Sequence, residues 1–406
     1  MQSPLTAAAR EPKSTAVRTR VQSIDILRGA IIIIMALDHT REFLHSAALS
    51  FSPEDLSRTT AALFFTRWIT HFCAPVFMLT AGLGAFLWAQ RGGGTRELSR
   101  FLWTRGLWLV FLELTLVRLA MYFTFDYSFT IVTVLWALGG SMIALAALVH
   151  LPLRALATIS CALILFHNLA DGITAASFGE AAWVWNVLHQ PGLLKLGGIA
   201  IAVAYPLIPW IGVMAAGYCL GPVFLWEPQR RQRVLLKLGI GLTAGFILVR
   251  AWNIYGDPLP WSAQSSALMT LCSFLKCMKY PPSLDFLLMT LGPAIAVLGL
   301  LDRVRLSNAN PLLIFGRVPL LYFVIHLFVI HGLAVLLAFG RYGVAGLHLT
   351  TLPGMSMSGS MFPADYGFSL WAVYVAWIAV VAAMYPLCRW FAGVKQRRRD
   401  WWLRYL

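Results

Sequence analysis

The chain has 406 residues, of which 59% are hydrophobic and 12% charged, and its mean hydropathy is +0.72. Charged residues are about half as frequent as in soluble domains, which excludes a soluble globular enzyme, a disordered chain and a fibrous protein. A chain this apolar takes a bilayer as its solvent, so the net charge of +15, from 32 Lys and Arg against 17 Asp and Glu, is first a topology signal and does not require nucleic acid.

Residues 1–22 form a polar, basic N-terminal tail. The first apolar run, residues 30–37, leads straight into Asp38, His39, Thr40, Arg41 and Glu42, so an uncleaved first helix over 23–44 is expected rather than a cleavable signal peptide. Further spans are expected over 67–89, 101–122, 129–149, 153–169, 198–220, 234–252, 284–301, 319–339 and 369–390. Residues 268–278 are apolar but too short to cross and read as an interfacial or re-entrant helix, and 183–194 as another piece at the surface. The expected architecture is an all-α polytopic bundle of about ten transmembrane helices. A tail over 1–22 and a basic tail over 393–406 flank a membrane domain over 23–392. With the N-terminus in the cytoplasm, most Lys and Arg residues fall on the inner side, Arg28, Arg91, Arg105, Arg230, Arg303, Arg317 and Lys395 among them. That asymmetry predicts both termini inside. The six cysteines form no CxxC pair, so neither zinc nor redox chemistry is signalled, and Cys272 and Cys277 are expected as free thiols.

Ionisable residues inside spans are functional candidates because burying them is costly. The first helix carries Asp38, His39, Arg41, Glu42 and His45 near its outer end. His39 lies about 24 Å along the axis, in the outer part of the hydrocarbon core. Arg67 and His71, four residues apart at the start of the second span, are expected on one face and at similar depth. The plain alternative is an interfacial cap, with Arg41 and Arg67 reaching out to water. A carboxylate beside an imidazole fixes its tautomer and raises its basicity, which suits His39 with Asp38 to proton abstraction. Adjacent helical residues point about 100° apart, which leaves Asp38 open to a different partner. Glu113 lies near mid-membrane, where an interhelical ion pair is the plain alternative. His326 and His331, five residues apart, point away from each other and are no metal pair. At the inner side Arg28, Arg105 and Arg317 each adjoin a glycine, an arrangement suited to phosphates as well as to lipid anchoring. Pro75, Pro206, Pro209 and Pro293 interrupt spans, as in helices that line cavities.

Several motifs resemble a known family. They are Ser23-Ile24-Asp25-Ile26-Leu27-Arg28-Gly29, then Ala36-Leu37-Asp38-His39-Thr40-Arg41-Glu42-Phe43, Arg67-Trp68-Ile69-Thr70-His71-Phe72-Cys73-Ala74-Pro75 and Thr104-Arg105-Gly106-Leu107-Trp108. They continue with Tyr205-Pro206-Leu207-Ile208-Pro209-Trp210-Ile211-Gly212, Lys279-Tyr280-Pro281-Pro282-Ser283 and Phe315-Gly316-Arg317-Val318-Pro319, with His326 downstream. Together they resemble the bacterial relatives of the heparan-alpha-glucosaminide N-acetyltransferase catalytic domain, within a wider set of transmembrane acyltransferases.

The resemblance implies transfer of an acetyl or acyl group from cytosolic acetyl-CoA to an extracytoplasmic sugar or glycan, through an essential histidine and without a metal. It implies an integral protein of a bacterial inner membrane, with membrane lipids as its surroundings and a homodimer allowed. In the family's lysosomal enzyme an asparagine ends the first helix and the histidine follows some residues later. Here Asp38 stands at the asparagine position and His39 follows at once. His39 is the preferred base, with Asp38 orienting or charging it, and His45 and His71 are rivals. Arg28, Arg105 and Arg317 are expected at the CoA phosphates. Arg41, Arg67, Glu113 and His326 are expected near the acceptor, with Arg67 or His71 stabilising the oxyanion. The other readings are a secondary transporter using intramembrane charges as a proton relay, and a flippase or scaffold for envelope glycans. The late loop over 340–367, with Arg341, His348 and Asp365, is expected to shape the acceptor site.

Overall fold

The structure is a computed structural model that describes residues 21–92, 94–348, 362–363, 365–398 and 400–406. The expected N-terminal tail up to residue 20, the middle of the 340–367 loop and Arg399 lie outside the described residues.

The first helix, α1, runs Gln22–Leu44. Helix α2 (Ala61–Trp68) continues through a 3-10 turn (Ile69–Phe72) into α3 (Cys73–Ala89). Pro75 has no N–H to bond the carbonyl of His71, which loosens the helix at that turn. Helices α4 (Thr95–Leu112) and α5 (Arg118–Tyr122) are joined by a π turn over Glu113–Val117. Strand β1 (Phe129–Val132), α6 (Val134–Leu148), α7 (Leu153–Phe166) and α8 (Ala182–Leu188) follow. Then come β2 (Gly192–Leu196), β3 (Ile199–Val203), α9 (Leu207–Leu220) and α10 (Pro228–Trp252). The chain ends with α11 (Ala267–Leu275), α12 (Leu284–Leu301), α13 (Pro311–Arg317), α14 (Pro319–Tyr342) and α15 (Leu370–Arg397). Side-chain oxygens of Thr60, Ser266, Ser283, Asn310 and Ser369 accept from backbone N–H groups at the starts of α2, α11, α12, α13 and α15. These caps satisfy donors that a helix start leaves open.

Seven helical stretches are long and apolar enough to cross a membrane: Ala61–Ala89, Leu153–Ala170, Leu207–Leu225, Pro228–Trp252, Leu284–Leu301, Pro319–Leu347 and Leu370–Arg397. The protein is an all-α polytopic membrane protein. The other three expected spans are also largely helical, but α1 and α4–α5 carry more charge and α6 is shorter. The expected interfacial helix is the nine-residue α11. All six cysteines are free thiols.

Two expected spans need correction. The first four residues of 129–149 form β1, and 199–203 form β3, so the helices start later, at Val134 and Leu207. β3 pairs parallel with β1 and antiparallel with β2, giving the order β1-β3-β2. Short apolar runs do not by themselves distinguish strand from helix. Here Pro206 closes the extended stretch, and Gly197 and Gly198, with φ of +53° and +85°, make the tight turn from β2 to β3.

α1 is central, packing on α3, α12, α13, α14 and α15. It meets α13 so closely that a Cβ on Gly29 would lie 1.9 Å from the Leu312 carbonyl oxygen, and one on Gly316 would lie 1.8 Å from that of Asp25. Small residues permit such approach where apolar burial gives helices little reason to associate in lipid.

Candidate active site

At the C-terminal end of α1, Asp38 binds two arginines. Its Oδ1 accepts from Arg41 Nη2 at 2.9 Å and its Oδ2 from Arg67 Nη1. All three residues are buried, with Arg41 at 4% and Arg67 at 8% exposure. The two arginines therefore face inward and do not reach out to water. Asp38 does not orient His39. The carboxylate on His39 belongs to Glu42, whose Oε2 lies 3.3 Å from His39 Nδ1. Residues three apart share a helix face and adjacent ones do not, which is why Glu42 reaches the ring. With Nδ1–H donated to Glu42, His39 Nε2 carries the free lone pair.

The His39 ring lies 5.3 Å from that of His326 on α14 and 6.5 Å from Phe323. His326 Nδ1 donates to the Tyr322 carbonyl at 2.9 Å, and its buried Nε2 has no partner among the described residues. His331 points elsewhere. Its Nδ1 donates to the Ala120 carbonyl at 2.7 Å and its ring stacks on Phe123 at 3.7 Å.

His71 sits in the 3-10 turn and not on a regular helical face with Arg67. Its Nε2 is 2.8 Å from Glu54 Oε1, and its ring packs on Phe286 at 5.2 Å. The two histidines expected to be neighbours thus have separate carboxylate partners, Glu42 and Glu54. The rival His45 accepts from the Ala47 N–H through Nδ1 at 3.1 Å and caps a turn. Glu113 opens the π turn between α4 and α5. Its Oε1 accepts from the Thr133 hydroxyl at 2.6 Å and from the Thr133 N–H, capping the start of α6. A carboxylate there also complements the helix dipole.

Glu54, on the loop between α1 and α2, was not singled out from the sequence. Burial would push its carboxyl up, but the bond to His71 and the charges of His71, Arg67 and Lys279 outweigh burial and hold it at about 2. The stability it adds is fully present above the ordinary glutamate value of about 4.3 and is lost as pH falls through about 2. Glu54→Gln is therefore expected to lower the melting temperature at pH 7, with the gap from wild type closing between about pH 4 and 2. A gap that stays constant over that range would contradict the assignment. Lys279, Tyr280 and Tyr205 also belong here. Lys279 Nζ lies 5.2 Å over the Tyr280 ring, and the two tyrosine hydroxyls are 3.5 Å apart. Their signal in the sequence was present in the motifs at 205–212 and 279–283, where no role was attached to them.

A cavity of about 610 Å³ approaches this cluster from the other end of the bundle. Arg28, Arg91, Arg105, Lys395 and Arg398 line it, against a single carboxylate, Asp400, among the described lining residues. Phe77, Leu135, Leu138, Met142 and Leu320 give it apolar walls. Phe323 also lines it, and the same ring is 5.8 Å from His326 and 6.5 Å from His39. One phenyl ring therefore connects the cationic cavity to the histidine pair. Arg28 donates to the Thr80 hydroxyl at 3.0 Å and to the Thr80 carbonyl. Arg317 does not line this cavity. Its guanidinium donates to Asn308 at 2.8 Å, and its carbonyl accepts from Lys395 at 3.5 Å. A second cavity of about 790 Å³ shares Arg28, Gly84, Trp88 and Arg91 with the first.

A buried acid–base cluster that meets a basic cavity defines a polytopic membrane protein built around buried charge. Residues 20–247 match the family described as heparan-alpha-glucosaminide N-acetyltransferase, catalytic, and the chain belongs to that family, which is of a transmembrane acetyltransferase type. The match takes in Arg28, Asp38, His39, Arg41, Glu42, Arg67, His71, Arg105 and Glu113, while Lys279, Arg317, His326 and Lys395 lie beyond it. No curated protein matches the chain.

Proposed function

We propose that the protein is an acyl-CoA-dependent acyltransferase of a bacterial cytoplasmic membrane that acetylates an extracytoplasmic sugar or glycan. The observation that carries this reading is Phe323, which is both the wall of the cationic cavity and the neighbour of His39 and His326. The basic end of the bundle faces the cytoplasm. The donor's phosphates meet Arg28 and Arg105, and its apolar arm runs along the cavity towards Phe323.

His39 Nε2 takes the proton of the acceptor hydroxyl or amine as that atom attacks the thioester carbonyl carbon. The carbon–sulfur bond breaks and the leaving CoA thiolate takes that proton from the His39 imidazolium, which returns the base to its neutral form. Glu42 holds the Nδ1–H of the imidazolium that forms. His326 contributes its unpartnered Nε2 beside His39. Arg41 and Arg67 act through their shared hold on Asp38, which keeps this end of α1 against α2. With Arg67 Nη1 on Asp38 and His71 Nε2 near Glu54, an oxyanion role for either would use its remaining N–H groups.

Calorimetry with acetyl-CoA on purified protein tests the donor side. Binding with a Kd of about 1–100 μM is expected, weakened at least about tenfold in Arg28→Ala/Arg105→Ala by loss of charge-assisted contacts. A folded sample that binds no acetyl-CoA, together with uptake of solute driven by a proton gradient, would select the transporter reading.

A further inference from the structure

The stretch after α15, expected only as a basic tail, folds back onto the cationic cavity. Leu403 is 5% exposed and forms part of the cavity wall. The Tyr405 hydroxyl is 2.8 Å from that of Thr104, and its ring lies 6.0 Å from Phe101. Phe101 in turn stacks on Trp88 at 5.1 Å and carries the Arg105 guanidinium 5.8 Å from its centroid. Arg398 from this stretch and Lys395 from the last turn of α15 join Arg28, Arg91 and Arg105 around one space. Like charges gathered along one cavity give it a positive potential that suits a multiply charged anion. Trp401 and Trp402 point outward at 73% and 39% exposure, as aromatic side chains do at a membrane surface.

We propose that this C-terminal segment is part of the ligand site, with Lys395 and Arg398 reading the phosphorylated nucleotide end of the acyl thioester and Leu403 and Tyr405 holding them in place. The inference rests on the acyl-CoA reading and adds to it a recognition element from the far end of the chain, outside the matched family region. A site made in this way selects a donor by its phosphates. It therefore discriminates against thioesters that share the pantetheine arm but lack the nucleotide.

The test uses the full chain in nanodiscs, with CoA, 3′,5′-ADP and pantetheine as probes. Lys395→Ala/Arg398→Ala is expected to weaken CoA and 3′,5′-ADP about 10- to 100-fold, the loss of one or two charged contacts. Pantetheine should bind as in wild type. Lys395→Arg/Arg398→Lys should restore most of the affinity. Leu403→Asp, which dislodges the segment without removing a cation, should reproduce the loss while the melting temperature stays near that of wild type. Wild-type binding of CoA with no change in either variant overturns the inference and leaves the acyl-CoA reading standing. Wild-type protein that binds no CoA overturns both. Unchanged CoA affinity with reduced retention of phosphatidylglycerol in the nanodisc would mean that the cations hold a lipid headgroup, which also overturns it.

Discussion

His39→Ala is expected to lower acyl transfer by roughly 10²- to 10⁴-fold, the usual contribution of a positioned general base, while acetyl-CoA binds as in wild type. The split follows from geometry. The cavity cations lie along one end of the bundle, and His39 stands beyond Phe323, outside the cavity lining. Removing the ring deletes the proton acceptor and leaves the donor contacts intact. Of the two rivals, His45 is held by the Ala47 N–H, and His71, with Nε2 near Glu54 and Nδ1 without a partner among the described residues, packs on Phe286 rather than on Phe323. His39 has one nitrogen on Glu42 and the other without a hydrogen bond among the described residues, the arrangement of a base whose tautomer is fixed. Glu42→Gln should reduce the rate less than His39→Ala and shift the pH–rate profile, since it removes the charge that steadies the imidazolium. The measurement is consumption of acetyl-CoA by the reconstituted protein with an acceptor mixture, beside calorimetry on the same sample. Full activity in His39→Ala would move the base to His45 or His71.

Much of the helical bundle was legible in the sequence because long apolar runs have one economical solution in a bilayer, the helix that bonds its own backbone. β1 and β3 were not legible as strands. Each is four or five apolar residues next to a longer apolar helix, and hydropathy alone reads such a stretch as one span. At the site, Asp38, His39, Arg41, Arg67 and His71 were recognisable as buried charge, but their pairing was not. Asp38 is adjacent to His39 in sequence and yet turns to Arg67, 29 residues away. The helical rotation of about 100° between neighbours permitted that outcome without selecting it. Glu54 lies on an outer loop of ordinary polar composition, and only the fold carries it to His71. Glu113 read as an intramembrane charge, and its partner, the Thr133 N–H at the start of α6, was not legible because it exists only once the helix begins at Val134. Lys395 and Arg398 were absorbed into the positive-inside count, which records the side of the membrane and is blind to a cavity on that side.

Asp38→Ala is expected to destabilise the protein by roughly 3–5 kcal/mol, the range for removing one member of a buried ion pair, so that folded protein is lost along with activity. Asp38 is the carboxylate between two buried guanidinium groups, and its removal leaves Glu42, at 3.4 and 3.8 Å, as the one carboxylate in ion-pair reach of Arg41 and Arg67 among the described residues. Glu42 cannot take Asp38's place without giving up His39. Asp38→Asn keeps the volume and one acceptor oxygen but not the charge, so it should fall between wild type and alanine. The opposite expectation follows if Asp38 acts chiefly on His39. Then Asp38→Asn would retain the wild-type melting temperature and lose only rate. Melting curves of the two variants in nanodiscs, with acetyl-CoA binding measured below the transition, separate these cases. The triple replacement Asp38→Leu/Arg41→Met/Arg67→Met removes all three charges together. It should recover much of the stability lost in Asp38→Ala, because buried pairs often cost as much in desolvation as they return in attraction. Recovery of stability without recovery of transfer would locate the function of the trio in fixing the end of α1, where His39 is held, and not in the packing of the bundle.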